Sequence, residues 1–429
     1  MLARVDVRGI SGDLRAELAR PPAVDAGVGA AVADILAAVR ERGDDAVREL
    51  TARFDGVQLA DLRVPRDEIL SARDRVAPAL LAALEFARDQ IVAWHEAQRE
   101  AEAKHERSGI HVQELVVPVD RAGCYVPGGR APLASSVLMT ALPARIAGVA
   151  DVVLCSPPNR EGAIADAILV AADLAQVDAV YRVGGAQAIG ALAYGTPSIP
   201  RVDVLAGPGN AYVAEAKRQV AASGAVRIDG FAGPSEVAVI ADATADPVLV
   251  AIDVLAQAEH GPGGAVTVIT WDDDVALRVE QAIDALLAVA ARRDEAAATL
   301  DEGGRIVLVE SAPRALDASN AIAPEHLELM CAGAADLVRL VRHAGAVFVG
   351  EDAPAVIGDY VAGVNHVLPT AGTARFASAL RVADFQKHVH VVTMHEGALR
   401  RVAPFVRAIA EAEGLDAHAD AVRMREERS

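Results

Sequence analysis

Apolar residues between positions 27 and 55 recur at helical spacing, with Val32, Ile35, Leu36 and Val39 followed by Val47 and Leu50. Arg42-Gly43-Asp44 punctuates this pattern, which predicts helical segments broken at the glycine. A second helical stretch is expected over 77–104, with charge on one side. Beyond it the period changes. Short runs rich in β-branched residues, at 152–154, 180–183 and 202–205, each lead into a Gly- or Pro-rich turn and then a helical segment. The alternation continues through 237–240, 266–269, 306–309 and 346–349. Strands alternating with helices imply βαβ units and a largely parallel arrangement, with enough strands for two sheets.

This pattern predicts an α/β protein with two Rossmann-like parallel-sheet domains, one inserted in the other. Residues 124–235 read as the inserted unit, and 25–123 with 236–375 as the discontinuous host. Residues 1–24 form a small N-terminal segment. Residues 376–429 read as an amphipathic helical tail detached from the sheet pattern.

Composition narrows the class. The 429-residue chain is 52% hydrophobic but only 3% aromatic, so its core must be built from Ala, Val, Leu and Ile, as buried parallel strands favour. A formal charge of −19 argues against a nucleic-acid partner, which requires a basic face. Cys124, Cys155 and Cys331 are too few and scattered for a disulfide framework. The first nine residues lack the apolar core of a signal peptide. The apolar region 132–155 is broken by Pro143, Arg145 and Asp151, so no membrane span is expected there. The expectation is a soluble, cytoplasmic protein.

The chemistry gathers in a few segments. Asp246-Pro247 predicts a capped helix ending at Gly261, with Leu249, Ile252 and Ala256 inward and Gln257 and His260 one turn apart on one face. Asp359 and His366 flank Gly363. These are oxygen and nitrogen donors suited to a borderline metal such as zinc, although the Gln257/His260 pair also reads as a hydrated helix end. Ala323-Pro324-Glu325-His326 reads as a loop entering a helix. The positive helix end would then keep His326 neutral as a base and Glu325 ionised, unless the pair is simply a first-turn acid and its exposed neighbour.

Three glycine loops follow expected strands: Tyr125-Val126-Pro127-Gly128-Gly129, Gly184-Gly185-Ala186-Gln187 and Gly207-Pro208-Gly209-Asn210. None has the full dinucleotide fingerprint. They either end strands tightly or line a ligand crevice, and the cofactor class stays open on this evidence. Glu413 and His418 bracket a glycine in the tail and, taken alone, read first as a solvated helix end. Cys124 is a weak nucleophile candidate, and His95, His105, His111, His343, His388, His390 and His395 read as surface or packing residues.

Taken together, these segments resemble the histidinol dehydrogenase family along nearly the whole chain. Arg42-Gly43-Asp44, Phe54-Asp55-Gly56-Val57 and Ala232-Gly233-Pro234-Ser235-Glu236 add to the likeness. The resemblance implies one zinc ion per subunit, held by Gln257, His260, Asp359 and His418. It implies L-histidinol as substrate, contacted by these four and by Ser235, His326, His366 and Glu413. Tyr125, Gln187 and Asn210 would contact NAD. Glu325 and His326 would be catalytic, His326 as general base and Glu325 in activating water. A homodimer with exchanged tails would bring Glu413 and His418 to the neighbouring subunit's site. The chain departs from the family's usual pattern at Gly261-Pro262, Gly230-Phe231 and Val364, all in loops. A same-fold zinc and NAD dehydrogenase of another small primary alcohol is the alternative reading; a zinc hydrolase would leave the glycine loops without a role.

Overall fold

The computed structural model describes residues 2–18, 26–128, 132–230, 233–261 and 263–427. Gly129, Phe231, Ala232 and Pro262 of the motifs above lie outside the described residues, as does part of the 1–24 segment.

The first compact unit comprises Met1–Gln98 and Asp120–Phe385. It holds two parallel sheets. A six-stranded sheet runs in the order Ala3–Asp6, Gly304–Leu308, Ala265–Thr270, Glu236–Ala241, His326–Met330, Ala346–Val349. A five-stranded sheet runs Ala179–Arg182, Asp151–Ser156, Arg121–Tyr125, Val204–Ala206, Arg227–Ile228. Every neighbouring pair in both is parallel. The central strands are buried along their whole length because helices cover both faces: all six residues of Ala265–Thr270 are buried, its two threonines included. Val32, Leu36, Val39 and Val47, whose spacing predicted helices, pack with Tyr181, Ile189 and Leu205 in one core.

The second unit comprises Arg99–Val119 and Gln386–Ser429. Its centre is an antiparallel three-stranded sheet in which Ile110–Pro118 lies between Gln386–Met394 and Lys104–Arg107. The helices Glu396–Ala412 and Asp416–Glu426 pack together beyond it. Two expectations are corrected here. The helix expected over 77–104 ends at Glu96, and Lys104–Arg107 is extended. The tail, expected to be helical throughout, contains a nine-residue strand whose Val-His-Val-Val-Thr run has β-branched character. Its partner is some 270 residues earlier in sequence, with Gln386 paired to Pro118 and Met394 to Ile110, so local spacing carried no sign of the pairing. Among the described residues no helix is long and apolar enough to cross a membrane.

Candidate functional site

Chain reversal at a single residue positions the acid–base pair. The Ala312–Ile322 helix ends at Ala323, which adopts a left-handed conformation (φ 56°) and donates its N–H to Ser319 O at 2.8 Å. Such backbone is costly for a non-glycine residue and occurs at sites where the surroundings impose it. After this turn Pro324 and Glu325 lead into the His326–Met330 strand. The expected helix after Pro324 is therefore absent, and the helix-dipole argument for His326 falls with it. The pair is buried at the amino edge of the six-stranded sheet, beside Glu236, the first residue of the adjacent strand.

The Glu236 carbonyl can only accept, so the 3.2 Å contact to His326 Nδ1 fixes a proton there and makes Nε2 the nitrogen that gains and loses the second one. Nε2 lies 3.7 Å from Asp359 Oδ1. Glu325 Oε2 accepts the Glu236 N–H at 2.8 Å and lies 3.6 Å from His326 Nδ1. Phe348 covers the imidazole at 6.0 Å between ring centroids. Burial pushes the Glu325 carboxyl up to about 7. Burial also pulls His326 toward neutrality, but the carboxylates of Glu325 and Asp359 outweigh it and raise the imidazole to about 9. Both directions oppose those expected from a helix terminus. Burial and mutual charge control the pair instead.

The metal-donor candidates come from neighbouring elements. Asp246 caps the Pro247–Ala258 helix by accepting from Val248 N at 2.8 Å. Its buried side is Val250, Ala251, Val254, Leu255, Gln257 and Ala258; Leu249 and Ile252, expected inward, are exposed. The hydrophobic stripe is offset by one residue because almost the whole helix is apolar and its periodicity is weak. Gln257 is buried and its amide has a side-chain nitrogen without a partner. His260, just past the helix, is exposed and directs Nδ1 to the Ala256 and Gln257 carbonyls, both at 3.2 Å, which leaves Nε2 available. The short Ala355–Tyr360 helix carries Asp359 and packs on the same helix. Burial would raise the Asp359 carboxyl, but the hydrogen bond from His326 and the imidazoles of His366 and His260 hold it below its ordinary value.

His366 has both nitrogens engaged within the protein: Nδ1 donates to the Asp359 carbonyl at 2.9 Å and Nε2 faces Ser136 Oγ at 3.1 Å. It orients the Asp359 backbone. Next to it, Asn365 donates to Met139 O at 2.7 Å, so this loop is tied to the Ala134–Ala147 helix of the five-stranded sheet. Ser235 is half-buried at the entry to the Glu236–Ala241 strand, its carbonyl accepting from Ala265 N at 3.1 Å. Glu413 and His418 are exposed and belong to the second unit. Among the described residues no group of three or more His, Cys, Asp or Glu side chains is arranged to hold a metal. The first unit supplies the carbonyl oxygen of the buried Gln257 amide, an imidazole with an open nitrogen and an ionised carboxylate. That donor chemistry fits a zinc site completed by a further ligand.

The glycine loops follow strand ends at the carboxyl edge of the five-stranded sheet, where such sheets bind ligands. Tyr125 OH accepts from Gly185 N at 3.1 Å, and Gln187 is buried with its side-chain nitrogen unpartnered. Asn210 caps the Ala211–Ala222 helix, accepting from Tyr212 N and Val213 N at 3.1 Å. Gly207 is obligatory: it has φ +125° and a Cβ there would sit 2.0 Å from Tyr125 O. The three cysteines carry no nucleophile, since burial raises every thiol.

Sequence reasoning gave no role to four residues that shape this region. Ser136 holds His366, Thr370 Oγ1 accepts from Gly233 N, and Lys217 is buried against Asp229. The fourth, Asp55, closes the Asp44–Phe54 helix, and its buried Oδ2 has no partner. Lys217 alone left a signal, a lysine on an otherwise apolar helix face. Burial pushes Asp55 up to about 6 from 3.8, so ionising it opposes folding. The penalty is absent below pH 3.8, grows as pH rises to about 6 and is constant above. Asp55→Asn is therefore expected to raise Tm at neutral pH and to leave it unchanged in acid. Thermal melts across this range test the sign, and an offset independent of pH would reject it.

The family model for histidinol dehydrogenase matches residues 18–426. The histidinol dehydrogenase of Gluconobacter oxydans is 46% identical over 424 residues, covering 98% of each chain. That of Methanothermobacter thermautotrophicus is 46% identical over 395 residues, covering 92% of each. The crystal structure of histidinol dehydrogenase from Elizabethkingia anophelis superposes with a TM-score of 0.94 at 35% identity, covering 100% of this chain and 98% of that one. A buried acid–base pair at one sheet edge, glycine loops at another and this likeness over the full length agree: the chain belongs to the histidinol dehydrogenase family of oxidoreductases.

Proposed function

We infer that the protein oxidises L-histidinol to L-histidine through the aldehyde, reducing two NAD. The observation that carries this reading is the buried His326, with Nδ1 committed to the Glu236 carbonyl beside Glu325 and Nε2 turned to Asp359. In the first oxidation the neutral form of His326 takes the alcohol proton at Nε2 as hydride leaves the carbon. In the second, Glu325 takes a proton from water adding to the aldehyde, and the hydrate loses the next hydride to give the carboxylate. A carboxyl raised to about 7 is suited to exchanging a proton near neutral pH. Burial of both groups excludes bulk water from the aldehyde between the steps.

Gln257, His260 and Asp359 would hold zinc, with His418 of a second copy as the fourth ligand. When bound, zinc would supply a Lewis-acidic template for the substrate imidazole and amine and draw Asp359's charge away from His326. Ser235, His366 and Glu413 line the substrate side in this reading, and His366 does so while keeping Asp359 in place. NAD supplies the hydride acceptor. Tyr125, Gln187 and Asn210 border its site: Tyr125 and Asn210 hold the turns, and Gln187 offers an unsatisfied amide. Tail exchange in a homodimer would bring Glu413 and His418 to the partner's site.

The test is to follow NADH and histidine together when zinc-loaded protein meets L-histidinol and NAD. Two NADH per histidine are expected, with activity lost to a chelator and restored by zinc. NADH formation from another primary alcohol but not from histidinol would assign the chain to that alcohol instead.

A further inference from the structure

A cleft of about 370 Å³, lined by neither Glu325 nor His326, opens in the first unit where four separate segments meet. Arg15, Arg342, His343 and Arg375 line it together with Asp13, Asp317 and Asn320. Its volume lies in the range of small-molecule sites, roughly 300–1,000 Å³, but its lining is charged rather than apolar. In a chain of net charge −19, this convergence of guanidinium groups runs against the overall balance.

The acids do not cancel it. Asp13 is engaged by Arg15 at 2.6 Å, and Asp317 by Arg314 at 3.0 Å. Arg314 also lies 3.8 Å from Glu310. Among the described residues Arg342 makes no side-chain hydrogen bond or ion pair. Arg375 donates to the Ala321 carbonyl and has no carboxylate in ion-pair range. Arg342 is thus left to face the cleft uncompensated, and Arg375 shares with it only the longer-range field of Asp13, a carboxylate already engaged by Arg15. Burial and then the neighbouring arginines lower the proton affinity of both Arg375 and His343, which reports the positive potential.

The cleft is also held in shape. Buried Asn320 accepts from the N–H groups of Arg342 (2.8 Å) and His343 (3.1 Å) and directs its amide to Leu340 O at 3.3 Å. This clamp fixes the loop that presents both side chains. Arg375 ends the Thr373–Arg375 turn, anchored through Ala321. Holding like charges together in a rigid frame costs free energy that a bound anion recovers.

We propose that this cleft binds a small multivalent anion bearing a phosphate group, gripped by Arg342 and Arg375 with Arg15 at the rim. The guanidinium fork matches phosphate oxygens bidentately, and the scarcity of apolar lining leaves no place for a hydrophobic body. The site is independent of the zinc and NAD reading.

The full-length protein is titrated calorimetrically at low salt with inorganic phosphate, pyrophosphate and a simple phosphomonoester. Saturable binding is expected, weakened at least about tenfold by Arg342→Ala and by Arg375→Ala. Arg342→Lys and Arg375→Lys keep the charge but lose the fork and should fall between, which guards against misfolding of the alanine variants. Phosphate should also raise the His343 pKa followed by NMR, because the anion offsets the guanidinium field. Turnover of Arg342→Ala with histidinol and NAD should be unchanged, so failure here is separable from failure of the proposed activity. The relative affinities of the three probes tell a free inorganic anion from an esterified one. Absence of binding, binding equal in the variants, or an unmoved His343 titration would overturn the proposal.

Discussion

Replacing His326 by asparagine is expected to lower kcat by roughly 10²–10⁴-fold, the range for loss of a positioned general base. The amide can still donate to the Glu236 carbonyl, which now binds Nδ1, and it fits beneath Phe348, so folding and substrate affinity should survive. What is lost is the basic nitrogen beside Asp359. Steady-state kinetics with histidinol measure the effect, and an unchanged kcat would remove His326 from the chemistry. The same variant tests the quaternary proposal. Mixed with Glu413→Ala after dissociation and reassembly, it should recover activity, because one exchanged-tail site in the heterodimer then has an intact His326 and an intact Glu413. No recovery would place both residues in one subunit's site.

Removing the Lys217 ammonium should cost about 3–5 kcal/mol of stability, as expected when one partner of a buried ion pair is deleted. Lys217 and Asp229 are both almost fully buried, and they close a ring around Gly207. The ammonium donates to Gly207 O at 2.9 Å while Asp229 Oδ2 accepts Gly207 N at 2.7 Å. Lys217→Ala leaves an uncompensated carboxylate in the interior and frees the loop leading to Asn210. Denaturant unfolding should show the loss, accompanied by a raised KM for NAD with kcat less affected. Lys217→Met with Asp229→Asn removes both charges and should recover much of the stability but not the KM, because the loop clamp is still missing. A single variant as stable as the parent would show that the charge reaches solvent.

Where sequence and structure part, the cause is local ambiguity resolved by distant contacts. Seven of the eleven strands of the two parallel sheets were legible as short β-branched runs, whereas Ala3–Asp6, Arg121–Tyr125, Arg227–Ile228 and His326–Met330 were not. The Pro247–Ala258 helix was legible too, from its Asp246-Pro247 start, but its inward face was not, because apolar residues surround it. Pro324 reads equally as the first residue of a helix or the end of a turn. Pairing of His326 with Val237 and Ala346 settled it as the start of a strand. That change reversed the electrostatics of the Glu325–His326 pair, from a helix terminus to a buried acid beside an imidazole.

The sequence by itself determined the α/β class, the alternation of strands and helices and, through ordered motifs spread over the whole chain, the family. Those properties reside in short-range spacing and residue identity, which any local window preserves. Only the tertiary structure decided that His366 supports Asp359 and that Lys217 and Asp229 pin a glycine loop. It likewise decided that Gln386–Met394 forms a strand and that Arg342 and Arg375 meet across a cleft. Each of these joins residues well separated in the chain. Their contacts depend on which edges and faces come together, and burial then sets the charge states that local sequence leaves open.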